Sequence, residues 1–211
     1  MDLARHSINI LGIYFSDTLD WGTHVDSIIN KANSLLYAFR YLNSKLSRKQ
    51  FRSLISAHYI SKLTYASQVW SGSLTNRLKN RLDSSFFKIL RLLCRDFEAR
   101  KSRLLLLEKS SMQSLRTIFF CRDAKLLHTL CHDLRPEPLA ERLLSQCHFL
   151  TRLGNRPHFF DYSAKKIGRN SFINRAKYIS EMIPFEWPDM SSPLFSIKIK
   201  ATTPPMLPSK R

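Results

Sequence analysis

The sequence predicts a mainly α protein: a helical bundle that follows a short N-terminal strand or hairpin and ends in an irregular, proline-rich tail. Three observations carry this reading. Apolar residues recur at helical spacing from Val25 to Leu46, from Leu74 to Leu93 and from Met112 to Leu130. A β-branched and aromatic run, Ile8, Ile10, Ile13 and Tyr14, stands at the start. Six of the nine prolines (Pro184, Pro188, Pro193, Pro204, Pro205 and Pro208) follow Ile183. The expected segments are a strand and turn over 1–22, a helical domain over 23–148, and an irregular, partly disordered stretch over 149–211.

The strand ends at Ser16-Asp17, and Trp21-Gly22 closes the turn. Thr23 with Asp26 has the spacing of a capping box, which predicts one long amphipathic helix behind it. Its stripe, Val25, Ile28, Ile29, Ala32, Leu35, Leu36, Phe39, Leu42 and Leu46, spans an arc of roughly 140° at the helical period. Ser47 and Gln50 form a second capping box and open a helix near Arg48. Phe51, Leu54, Ile55 and His58 share one face of it, so His58 is expected to be a core or half-buried histidine rather than a ligand or base.

Ser71-Gly72-Ser73 interrupts the pattern, and a third helix is expected from about Thr75 to Arg95. Leu74, Leu78, Leu82, Phe86, Ile89, Leu90 and Leu93 make its buried arc. Arg77, Arg81, Lys88, Arg91 and Arg95 gather within roughly 80° on the other side. Phe97 to Ser110 reads as a connector with a short buried turn at Leu104–Leu107. A fourth helix opens near Ser111, Leu134-Arg135-Pro136-Glu137-Pro138 ends it, and a short fifth covers Leu139 to Ser145.

Charge is the loudest compositional signal: 34 basic against 16 acidic residues, a net charge of +18. Between Leu36 and Arg95 the basic residues number twelve and the only acid is Asp83. A surface field of that sign attracts polyanions, nucleic acid foremost. Like charges four residues apart on a helix repel by a few tenths of a kcal/mol, so a row without interleaved acids implies a use. The candidate nucleic-acid-binding residues are Arg40, Lys45, Arg48, Lys49 and Arg52, together with Arg77, Arg81, Lys88, Arg91 and Arg95. The interleaved aromatics Tyr37, Tyr41, Phe51, Tyr59, Tyr65 and Trp70 have the chemistry to stack on bases, but core or half-core positions are expected for them.

Several chemistries are not expected. Two-metal phosphoryl transfer needs clustered carboxylates, yet no two aspartates are adjacent, and Asp17 with Asp20 suits a turn. Cys131-His132 and Cys147-His148, with Cys121 upstream, lack the two-to-four-residue spacing of structural zinc sites. No glycine-rich phosphate loop and no G-x-S-x-G elbow occurs. Neither cofactor nor metal is expected. No signal peptide and no apolar run near the roughly 20 residues of a bilayer span is found. The expected setting is intracellular, nuclear or cytoplasmic, with free thiols and no membrane partner.

The order Leu11-Gly12-Ile13, Leu19-Asp20-Trp21, His24, Lys31-Ala32, Tyr65 and Trp70 resembles non-LTR (LINE-like) retrotransposon reverse transcriptases. A second match, Arg169 to Arg175 followed by Ile183-Pro184, resembles that family's C-terminal segment, although Glu181-Met182 stands where the family often has Trp-Asn. The resemblance implies the end of a palm near the primer grip over 1–22, then a thumb and a following helical region. It also implies a parent RNA-directed DNA polymerase whose palm and fingers, with the catalytic aspartates, would precede this stretch. On that reading the chain is no enzyme by itself and keeps only sequence-independent binding of a template–primer backbone. The competing expectation is a helical protein–protein interaction module or an inactive gene remnant, with the apolar side of the strand around Ile10 to Tyr14 uncovered.

Overall fold

The computed structural model describes residues 7–94, 102–145, 147–149, 157–159, 171–187 and 190–201. The chain divides into two compact units, Met1–Leu115 and Arg116–Arg211, and each is described by itself. The division falls inside the stretch expected to be one helical domain over 23–148.

The first unit opens with a hairpin of β1 (Ser7–Ile10) and β2 (Ile13–Ser16), paired antiparallel. Leu11 and Gly12 make the two-residue turn with φ of 50° and 84°. Positive φ at both positions is what a type I′ turn needs, and glycine adopts it without a Cβ penalty. The Asn9 side chain accepts the Gly12 N–H at 2.9 Å, and the Tyr65 hydroxyl donates to the Leu11 carbonyl at 3.0 Å. Ile13 is buried, whereas Ile8, Ile10 and Leu11 face solvent.

α1 (Gly22–Asn33) begins earlier than a Thr23 cap would allow, and no side chain caps it at Trp21. Asp20 instead accepts the Gly22 N–H at 3.2 Å, Thr23 is exposed, and Asp26 is committed to Arg81. The expected single helix to Leu46 is also interrupted. Ser34 turns its hydroxyl back onto the Lys31 carbonyl at 2.9 Å, and the Leu35 N–H bonds Ala32 O at 3.1 Å. A serine hydroxyl competing for a helical carbonyl tightens and ends the turn. α2 (Leu36–Lys45) follows.

α3 (Arg48–Leu54) carries the expected capping box in full: Ser47 Oγ accepts the Gln50 N–H at 3.4 Å and Gln50 Oε1 accepts the Ser47 N–H at 3.1 Å. The helix then widens into a π-helical turn, Ile55–Ile60, before α4 (Ser61–Leu63). A π turn advances the chain by less rotation per residue. Tyr59 and Ile60 therefore reach the buried side, and His58, expected there, is exposed. α5 (Ser67–Trp70) and a 3₁₀ turn (Ser71–Ser73) lead to α6 (Asn76–Leu93), where Thr75 accepts the Leu78 N–H at 3.4 Å. All seven apolar residues of the expected arc, Leu74 through Leu93, are buried. They face Val25, Ile28 and Ala32 of α1 and the aromatic group of Phe39, Phe51 and Tyr59, with ring centroids 6.0 and 6.3 Å apart. The expected connector over 97–110 holds a helix instead, α7 (Arg103–Ser110), with Leu106 buried and Leu104 78% exposed.

The second unit comprises α8 (Leu115–His132), α9 (Glu137–Leu144), a short antiparallel pair β3 (Cys147–Phe149) and β4 (Pro157–Phe159), α10 (Phe172–Met182) and α11 (Ser192–Ala201). Pro138 sits in the first turn of α9, where a missing N–H costs nothing. Leu127, Leu130, Leu143, Ile179, Trp187 and Phe195 share one core. The segment after residue 149, expected to be irregular, thus contributes two helices to that core, since Ala176, Ile179, Phe195 and Ile199 give it buried faces of its own. The last three prolines lie outside the described residues.

Candidate nucleic-acid interface

The basic side of α6 borders two adjoining grooves. One, of about 720 Å³, is lined by Ile29 of α1 and by Arg77, Asn80, Arg81, Ser84, Ser85 and Lys88. The other, of about 380 Å³, is lined by Leu36 and Arg40 of α2 and by Lys88, Arg91 and Leu92. Lys88 belongs to both, so the cationic lining runs along α6 from Arg77 to Arg91 and crosses to Arg40.

Buried hydrogen bonds hold these walls. The Tyr59 hydroxyl lies 3.1 Å from Asn33 Oδ1, 3.0 Å from the Ser85 carbonyl and 2.8 Å from Ser85 Oγ, tying α1 to α6 through the π turn. Asn43 donates to the Leu92 carbonyl at 3.0 Å and fixes α2 against the far end of α6. Among the described residues no carboxylate pairs with Arg40, Arg77, Lys88 or Arg91, and all four are exposed. Arg81 differs, because it is bound to Asp26.

The remaining expected residues are not gathered there. Arg48 donates to the Lys109 carbonyl at 2.6 Å, satisfying the C-terminal end of α7. Lys45, Lys49 and Arg52 line neither groove. Arg95 lies outside the described residues. Of the interleaved aromatics, Phe51, Tyr59 and Trp70 are buried as expected. Tyr37 and Tyr41 are not: they are 83% and 66% exposed, and Tyr65 is 49% exposed. The sequence signal that sets Tyr37 and Tyr41 apart is their position opposite Phe39 on α2, which the apolar stripe already marked as the buried side.

Other clusters have no matching chemistry. His24 is enclosed between Trp21 and Trp70, with centroids 6.1 and 5.4 Å away, and its Nδ1 accepts the Tyr14 N–H at 3.4 Å. Burial, aided by Lys31, pulls its pKa down to about 4, which keeps the ring neutral. In the second unit His132, Asp133 and Ser192 lie together, but the carboxylate stands in the middle: Ser192 Oγ donates to Asp133 at 3.2 Å, and His132 Nδ1 lies 2.7 Å from the other Asp133 oxygen. That order leaves the hydroxyl without the imidazole base an activated serine requires. Among the described residues no group of three or more His, Cys, Asp or Glu is placed to hold a metal ion. Among the described residues Cys94, Cys121 and Cys131 form no disulfide. No described helix is long and apolar enough to cross a membrane.

No protein-family model matches the chain, and neither a curated protein nor a solved structure was found that matches it.

Proposed function

We propose that the Met1–Leu115 unit is a sequence-independent grip for the sugar-phosphate backbone of nucleic acid. It would correspond to the thumb of the retrotransposon-type RNA-directed DNA polymerase that the sequence resembles, without polymerase chemistry of its own. The observation that carries this reading is the continuous line of Arg77, Lys88, Arg91 and Arg40 along two joined grooves, free of carboxylate partners among the described residues. Each phosphate neutralised there releases condensed counterions, so binding should weaken with salt at a slope of about −0.9 per contact on duplex.

The test is a salt titration of duplex binding by the full chain and by the variant Arg77→Glu, Lys88→Glu, Arg91→Glu. The three residues are exposed, so the fold should survive their reversal. Loss of affinity with a flatter salt slope supports the reading, and unchanged binding removes the assigned site.

A second reading, a protein-interaction module, is favoured by the hairpin, where Ile8, Ile10 and Leu11 are 66%, 53% and 85% exposed. Size-exclusion chromatography separates the two: a monodisperse monomer disfavours it, and self-association that Ile8→Lys abolishes would favour it.

A further inference from the structure

We propose that Tyr37 and Tyr41 form a stacking platform for unpaired bases, so that the grip described above holds a single strand as well as a duplex. This rests on the groove reading and extends it from backbone to base.

Tyr37 and Tyr41 lie one helical turn apart on α2, about 6 Å along the axis at 1.5 Å per residue. They are 83% and 66% exposed, while Phe39 on the opposite side of the same helix is 4% exposed. Among the described residues neither ring makes a ring contact, and neither hydroxyl a hydrogen bond. Two aromatic side chains left open on successive turns contribute nothing to the core that holds α2. A lone exposed aromatic would need no explanation, but these two adjoin a cationic groove. Leu36 and Arg40, each one residue before a tyrosine, form the α2 wall of the groove that Lys88 and Arg91 close. Lys45 continues the positive charge past Tyr41 at the end of the helix.

A strand whose phosphates lie along Arg91, Lys88 and Arg40 therefore has two π faces beside it at one-turn spacing. Negative backbone with accessible bases is the ligand chemistry that pairs cations with open aromatic faces, because each base stacks irrespective of its identity. A fully paired duplex keeps its bases in the stack and engages only the cations. The occupant is thus a single-stranded segment, or the unpaired overhang beside a duplex.

The experiment compares full-length wild type, Tyr37→Ala/Tyr41→Ala and Tyr37→Phe/Tyr41→Phe for binding to a fluorescent oligo(dT) strand, an abasic strand of equal length, and a duplex. The expected result is a loss of about tenfold or more on oligo(dT) for the alanine pair, from removal of base–aromatic stacking. The phenylalanine pair should bind like wild type. The abasic strand and the duplex should not distinguish the three proteins, and the salt slope should not change, because no charge is removed. Thermal melting serves as the folding control, since both side chains project from the surface. If the alanine pair binds oligo(dT) like wild type while the triple groove variant loses affinity, the platform is overturned and the groove reading stands. If wild type binds none of the three nucleic acids, both are overturned.

Discussion

The guanidinium of Arg81 on α6 is paired with the carboxylate of Asp26 on α1. This sets an anion beside one of the arginines that line the groove and takes that member of the basic row out of free play. Both side chains are a little under half exposed, so the pair should contribute less than about 1 kcal/mol to stability. Asp26→Asn is therefore expected to leave the melting temperature nearly unchanged, strengthen duplex binding and steepen the salt slope by about one phosphate contact. A variant that binds no better would show that Arg81 never faces the ligand.

Tyr59→Phe should destabilise the first unit by about 1 kcal/mol, since it removes the hydroxyl shared by Asn33 and Ser85 while Ser85 Oγ still donates to Asn33 Oδ1 at 3.2 Å. Equilibrium denaturant unfolding measures the loss. Adding Ser85→Ala should cost less than the sum of the two single changes, because both act on one network.

His24 predicts an acid-sensitive first unit. Its folded pKa, about 4, lies below the usual 6.5, so the native state favours the neutral ring. The stability this gives is complete above pH 6.5 and drains away as pH falls toward 4, by on the order of 3 kcal/mol. His24→Phe keeps the aromatic contacts with Trp21 and Trp70 and should flatten the melting temperature across that window. It forfeits the acceptor for the Tyr14 N–H, so its plateau should sit lower.

In the second unit Arg175 lies 2.6 Å from Asp123, whose carboxyl burial lifts to about 6 against the pull of Arg175. A raised carboxyl pKa stabilises the fold most at low pH, and that contribution is lost as pH rises from about 4 through 6. Arg175→Ala leaves the buried acid alone, so it should cost about 3–5 kcal/mol at pH 7 and recover part of that near pH 4. A loss equal at both pH values would refute the coupling.

Which parts of the structure could be read in advance follows from what each residue answers to. The buried arc of α6 was legible because seven apolar residues at one period have a single way to leave water. The Ser47–Gln50 cap was legible because both of its partners lie within one turn. Thr23 and Asp26 show the same spacing, yet Asp26 answers to Arg81, far along the chain and invisible to a local pattern. The break at Ser34 was hidden because Leu35 and Leu36 carry the apolar stripe straight across it. In the candidate site the α6 row was readable from helical spacing alone. That Arg40 joins it, and that Arg48 serves a carbonyl of α7 instead, depends on how separate helices come together.

The wide turn at Ile55–Ile60 sets a condition on how this chain can change over time. It holds one residue more than the regular spiral would, and the turn absorbs that surplus, so Leu63 beyond it still meets the interior. Point changes at the outward-facing Ser56 or Ala57 leave that arrangement alone, and deleting either would let the turn close to the ordinary spiral with Leu63 near its present direction. Loss of one residue should therefore be borne better here than in the regular helix of α6.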